Sequence, residues 1–173
     1  MTSSTALEFH RTQLRQQGFT IFLNAARAEF LAEMAANVSR TREEDLVEGD
    51  ESTHSWKEVP IDPPHELSDF VAGLDPSLVV ERRPAKMTQW INVYDLGEFI
   101  GAHVDAGGDV QMMIPIELPL PGEGGDLWVR SKQCVLPVGA GDVLLFAAHR
   151  LRHGTTPVRS GRRISLNARI WLE

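Results

Sequence analysis

Cysteine is almost absent from this 173-residue chain: Cys134 stands alone, which excludes an internal disulfide. Long apolar runs are missing as well, none approaching the roughly 18 to 20 consecutive apolar residues of a membrane span. The first residues, "MTSSTALEFHRTQLRQQGF", carry no basic start, apolar stretch or cleavage site of a secretory leader, so a soluble, cytoplasmic protein is expected. No basic stripe runs along the chain, which argues against nucleic acid as a partner. Internal repeats and low-complexity tracts are also lacking. "GAGDVL" is too short and wrongly placed for a nucleotide-binding fingerprint.

What is present suits one globular domain, residues 1–173, with 42% hydrophobic and 24% charged residues. The formal charge of -7 is concentrated in "TREEDLVEGDESTHSWKEVPIDPPHELSD", residues 41–69, which hold ten acids against two bases and leave the remainder near neutrality. That composition predicts a solvated loop, with a lid over a cationic substrate as the sharper alternative.

Helical spacing appears at 5–17 and 25–39, with an alternating strand, "FTIFL", between them, and "PPHELSDFVAGL" has the ends of a short helix. Residues 1–77 thus read as helical support with an acidic loop. From Leu78 the pattern changes to eight short β-type segments separated by glycine and proline: "LVVERR", "KMTQWINVY", "DVQMMIPIEL", "DLWVRS", "QCVLPV", "DVLLFAA", "TTPVR" and "RISLNARIW". Without helical crossovers these predict a mainly β fold of sandwich or jelly-roll type.

"FIGAHVDAGG" places His103 and Asp105 two positions apart. On a strand, such residues share a face and can converge on one ion while Val104 packs away. An H-x-D pair alone arises readily by accident and needs a third ligand. His153, after the apolar "LLFAA" and before Gly154, supplies one; His149 competes, and His153 is preferred. Two imidazoles and a carboxylate on one face of an ion make the facial triad of non-haem iron(II) oxygenases. For His10, His54, His65 and His149, surface or capping roles are expected.

"NVYDLGEFIGAHVD", "GGDLWV", "VLPVGAGDVLLFAAHRLRHGTTPV" and "GRRISLNARIW" together resemble the core of the 2-oxoglutarate and iron(II)-dependent oxygenases, in particular the prolyl-hydroxylase-like branch, over roughly residues 87–173. The resemblance implies a double-stranded β-helix (jelly roll) with His103, Asp105 and His153 on Fe(II) as the catalytic centre. It implies Arg163 on the distal carboxylate of 2-oxoglutarate, where a permanently charged two-pronged guanidinium suits the task. Ser165, two residues on, and Tyr94 would assist it, and Arg162 would face solvent. The implied reaction consumes O2 and 2-oxoglutarate, releases succinate and carbon dioxide, and oxidises an unactivated C–H bond. Because Asp105 keeps the carboxylate that halogenating relatives lose, hydroxylation is the expected outcome. Desaturation, epimerisation and cyclisation stay open.

Arg163, Ser165, Asn167 and Arg169 share one strand face. Asn167 is therefore expected nearer the metal and Arg169 near the cavity mouth, pairing with a substrate carboxylate, while the acidic segment around Glu43 to Glu58 covers a cationic group. Trp90, Asn92 and Met113 are further candidates to line the cavity. The expected substrate is a small amino acid or amino-acid-derived metabolite. A cupin-like isomerase or binding protein without 2-oxoglutarate, and a jelly roll acting only as an interaction module, are the alternatives. The first is disfavoured by "HVD" where cupins present H-x-H, and the second by the intact ligand set. Oligomeric state is not legible.

Overall fold

A computed structural model describes residues 4–41, 47–51, 54–61, 79, 82–130 and 134–173. Two helices, α1 (Ser4–Gln17) and α2 (Ala28–Arg40), flank β1 (Phe19–Phe22). Nine further strands follow among the described residues: β2 (Val47–Glu51), β3 (His54–Ile61), β4 (Pro84–Tyr94), β5 (Phe99–Ile100), β6 (Val110–Glu117), β7 (Leu127–Val129), β8 (Val143–Phe146), β9 (His153–Thr155) and β10 (Arg163–Leu172). The large sheet runs β1-β8-β6-β10-β4-β3-β2, a smaller one joins β7 to β9, and β5 pairs with β3. Every pairing is antiparallel. The fold is mainly β with N-terminal helices, a jelly-roll core of double-stranded β-helix type. Among the described residues no helix is long and apolar enough to cross a membrane.

Period-two alternation on the central strands builds two different faces. Ile91 and Val93, Met112 and Ile114, Val143 and Leu145, and Ile164, Leu166, Ala168 and Ile170 form one buried cluster with Phe30, Met34 and Val38 of α2. Those three α2 residues recur every four positions, so one stripe of the helix covers the sheet. The opposite face is partly apolar, with Met113, Leu144 and Phe146 packed against Leu127 and Val129 of the small sheet. Elsewhere it is polar: Asn92, Gln111, Arg163, Ser165 and Asn167 are all buried there. Since β10 pairs with β4 on one side and β6 on the other, these side chains stand in rows.

The acidic stretch departs from expectation. Part of it is not loop but β2 and β3, the rim of the large sheet. Charged residues are tolerated on a sheet edge because one face stays solvated and charge discourages further strand pairing. Val59 and Ile61 nevertheless pack on the main core. The remainder of that stretch, 42–46, 52–53 and 62–69, lies outside the described residues, as does the helix expected at 63–74.

Other strand boundaries also move. In "LVVERR" only Val79, Arg82 and Arg83 are described, and none is in a strand. "QCVLPV" contributes only an isolated bridge from Val135 to Trp128, and Pro137 has no N–H with which to extend it. "TTPVR" is not a strand either; β9 begins earlier, at His153, and ends at Thr155, two residues before Pro157. The two-residue β5 was too short to show a pattern.

Candidate metal and dicarboxylate site

His103 and His153 are brought together by backbone pairing. They form an isolated antiparallel bridge in which His103 N–H donates to the His153 carbonyl at 3.0 Å and the reverse bond is 2.9 Å. Directly opposed residues on antiparallel chains carry neighbouring side chains, and the two imidazole centroids are 4.2 Å apart. Gly154 permits this approach: a Cβ there would lie 2.6 Å from Trp128 Cζ2 and 2.7 Å from the carbonyl oxygens of Ile100 and Gly101.

Asp105 reaches the pair by a different route than strand alternation. The chain leaves the bridge after His103, and the Asp105 N–H donates to the Ala148 carbonyl at 3.1 Å. Val104 is therefore 49% exposed instead of packing away from the site. The Asp105 carboxylate lies 3.6 Å from His103 Nε2 and 3.8 Å from His153 Nε2. One ligand atom from each residue falls within 4.8 Å of the others, and this is the sole such group of three or more among the described residues. His149 is exposed and stands apart from it.

The donor set fits a divalent metal. Nδ1 of His103 is 2.9 Å from the Gly101 carbonyl and Nδ1 of His153 is 2.8 Å from the Leu151 carbonyl. A carbonyl only accepts, so each Nδ1 carries the proton; in the neutral rings each Nε2 keeps its lone pair toward Asp105, and only a doubly protonated His103 donates from Nε2 to that carboxylate. Asp105 Oδ2 is buried with no hydrogen-bond partner among the described residues, an orphan that a cation would satisfy. Burial pushes the Asp105 pKa up, but its hydrogen bond with His103 and the charges of His153, Arg169 and His103 outweigh this and hold it low. Burial lowers the pKa of His153, with His103 adding to the effect. For His103, burial acts downward but is outweighed by the Asp105 hydrogen bond, the Gly101 carbonyl and the Asp105 charge, so its pKa is raised.

A cavity of about 360 Å³ extends from this group along the polar face of β4 and β10. At its far end Arg163 is 1% exposed. Its Nη1 donates to the Gly125 carbonyl at 2.6 Å, Nη2 lies 3.4 Å from Met113 Sδ, and Nε has no partner. No carboxylate forms an ion pair with it among the described residues. Burial lowers its pKa, opposed by Tyr94 and Asp126, yet a guanidinium stays charged.

Tyr94 is Arg163's cross-strand neighbour, and its hydroxyl accepts from Asn92 Nδ2 at 3.0 Å. Burial pushes the Tyr94 pKa well above its ordinary value, against the opposing effects of Arg163 and Asn92. Ser165 and Asn167, 1% and 2% exposed, line the wall between the two ends, as do Trp90 and Asn92. Arg162 faces outward, 3.3 Å from Glu117.

Arg169 differs most from expectation. Instead of standing clear of the metal group at the mouth, it places Nη2 3.0 Å from Asp105 Oδ1 and its guanidinium over the Trp90 ring at 5.2 Å. Several lining residues had no legible signal. Trp56 sat inside a stretch read as loop, whereas its neighbour Glu58 belongs to the acidic segment expected to cover a cationic group; Gln111 joins the cavity only because β6 pairs with β10 so that Gln111 opposes Arg169. His10 is neither surface nor cap: its Nδ1 is 2.8 Å from Thr20 Oγ1 and its ring lies 4.0 Å from that of Phe22. The side chain of His54 and all of His65 lie outside the described residues.

No family model matches the chain, and no curated protein matches it. Solved structures do. A prolyl-4-hydroxylase from Pseudomonas putida superposes with a TM-score of 0.74 at 18% identity, over 96% of this chain and 99% of that one. A 2OG-Fe(II) oxygenase family oxidoreductase from Burkholderia pseudomallei gives 0.70 at 20% identity, over 99% and 93%. An epimerase from nogalamycin biosynthesis, solved with Fe3+, alpha ketoglutarate and a nogalamycin compound, gives 0.72 at 14% identity, over 99% and 85%. The chain has the fold of the 2-oxoglutarate-Fe(II) oxygenases, with prolyl hydroxylases among its structural neighbours.

Proposed function

We propose that this protein is a non-haem Fe(II)- and 2-oxoglutarate-dependent oxygenase that hydroxylates an unactivated C–H bond of a small amino acid or amino-acid-derived metabolite. One observation carries the reading. A buried guanidinium with no carboxylate partner shares a cavity with a two-histidine, one-carboxylate group. Burying a lone charge costs several kcal/mol. A dicarboxylate bound at one end by a metal and at the other by Arg163 satisfies both ends of the cavity at once.

His103, Asp105 and His153 would hold the iron. Bound there with 2-oxoglutarate, iron supplies the oxidative chemistry: O2 and 2-oxoglutarate are consumed, succinate and carbon dioxide leave, and one oxygen atom enters the substrate C–H bond. Arg163 fixes the distal carboxylate, Ser165 adds a hydroxyl donor beside it, and Tyr94 offers its phenol to the same ligand. Phe146, edge-on to His153 at 5.0 Å, gives the metal end an apolar wall, and Leu127 adds to the apolar lining of the cavity.

Substrate selection falls to the other residues of the wall. The part of the Arg169 guanidinium not given to Asp105 is free for a substrate carboxylate, since five N–H donors exceed what one oxygen takes. Asn92 Oδ1, buried and unpartnered among the described residues, and the Glu58 carboxylate are acceptors suited to a cationic nitrogen. Trp90 and Asn167 shape the space between. The exposed, unpaired Cys134 is compatible with a reducing compartment, and we place the protein in the cytoplasm.

The test is anaerobic mixing of apo-protein with Fe(II) and 2-oxoglutarate. A weak visible charge-transfer band of the chelate is expected in the wild type and lost in His103→Ala and Arg163→Ala. Its absence from the wild type would overturn the reading. Succinate release screened across amino acids then identifies the substrate, and an Arg169→Ala protein with unchanged apparent affinity for it would remove Arg169 from substrate binding.

A further inference from the structure

The two oxygens of Asp105 have different fates. Oδ1 meets Arg169 Nη2 at 3.0 Å and lies 3.6 Å from His103 Nε2, whereas Oδ2 is buried, unpartnered and turned to His153 Nε2 at 3.8 Å. The arginine is held in a socket. Trp90 lies under its guanidinium at 5.2 Å, and Gly108 leaves open the space its aliphatic stem occupies, since a Cβ at Gly108 would fall 2.6 Å from Arg169 Cγ. Both supports flank the same side chain from different segments, Trp90 on β4 and Gly108 in the loop between β5 and β6.

We infer that Arg169 is a positioning residue for the metal: by engaging Oδ1 it fixes the orientation of the Asp105 carboxylate against the two Nε2 atoms and leaves the unpartnered Oδ2 open to the ion. Each of the two histidines is already fixed by a backbone carbonyl on its Nδ1. Asp105 has no such backbone partner for its carboxylate among the described residues, and Arg169 completes the set. An unpinned carboxylate would rotate freely and could offer either oxygen or both, and ordering it would then oppose metal capture. Partners that orient metal ligands in this way typically account for about 10- to 100-fold in metal affinity. The inference rests on His103, Asp105 and His153 being metal ligands, but not on 2-oxoglutarate or on any substrate.

Co(II) titration of the metal-free full-length protein tests it without turnover, following both affinity and the visible ligand-field spectrum. Arg169→Met is expected to weaken Co(II) binding by about 10- to 100-fold and to alter the spectrum, because Asp105 is released. Arg169→Lys, which keeps a cationic donor of similar reach, is expected to restore most of the affinity and the wild-type spectrum. Thermal melting of each metal-free variant checks that it is folded. Unchanged or tighter Co(II) binding by a folded Arg169→Met protein would overturn the inference, tighter binding meaning that the guanidinium chiefly repels the metal. A wild type that binds no Co(II) would overturn the metal site and this role together, whereas wild-type binding with no chelate band on adding Fe(II) and 2-oxoglutarate would remove the oxygenase reading and leave this role standing.

Discussion

Replacing Arg163 with methionine removes a fully buried cation and leaves an unbranched apolar chain in its place. Exchanging buried charge for apolar volume is often neutral or stabilising by about 1–4 kcal/mol. Against this stands the Gly125 carbonyl, now without the Nη1 donor at 2.6 Å, at a cost of about 1–3 kcal/mol. The two terms nearly cancel, leaving the variant within about 3 kcal/mol of the wild type, or about 12 °C in Tm, in either direction for a chain of this size. With Co(II) bound, 2-oxoglutarate at about 100 times its Kd should raise the wild-type melting point by the equivalent of ~2.7 kcal/mol, about 5–11 °C. Arg163→Met should show no such increment. Thermal melts of both proteins with and without the dicarboxylate read both effects. A variant destabilised by more than about 3 kcal/mol in the absence of 2-oxoglutarate would show that Arg163 is there for the fold, and one still stabilised by the ligand would refute its assignment.

Three other perturbations probe separate parts of the molecule. Gly154→Ala forces a methyl group against Trp128 and two backbone carbonyls; about 1–3 kcal/mol should be lost by urea unfolding, with Co(II) affinity falling too as His153 moves from His103. Met34→Ala hollows the fully buried contact between α2 and the sheet and should cost about 2–5 kcal/mol by the same assay while leaving Co(II) affinity unchanged. Burial lowers the His10 pKa below its ordinary 6.5, so the unfolded chain takes the proton more readily. The stability contributed is intact above that value and is lost as pH falls through it toward the folded pKa. His10→Gln should therefore show a smaller drop in urea midpoint than the wild type between pH 7.5 and pH 5.5, and equal slopes would refute the buried neutral imidazole.

Much of the fold was legible because it rests on short-range pattern. The α2 stripe of Phe30, Met34 and Val38 is a periodicity written in neighbouring residues, and β4, β6, β8 and β10 are short β-type runs set off by glycine and proline. Edge elements were not, since β2 and β3 carry the composition of a solvated loop and are strands only because a paired partner lies beside them.

The site divides along the same line. Residue identity alone determined the chemistry available: two imidazoles, a carboxylate and a guanidinium downstream, in a chain without disulfides or a basic stripe. Tertiary structure decided which atoms face one another. His103 and His153 became neighbours through a bridge spanning 50 positions, Asp105 through a bond to Ala148, and Gln111 entered the cavity by sheet register. Arg169 shows the difference most sharply. Spacing put it on the face of Arg163, but a side chain as long and flexible as arginine's goes where charge and packing are most favourable. Here that is the Asp105 carboxylate, across the space left by Gly108, a partner set by three-dimensional proximity and not by strand period.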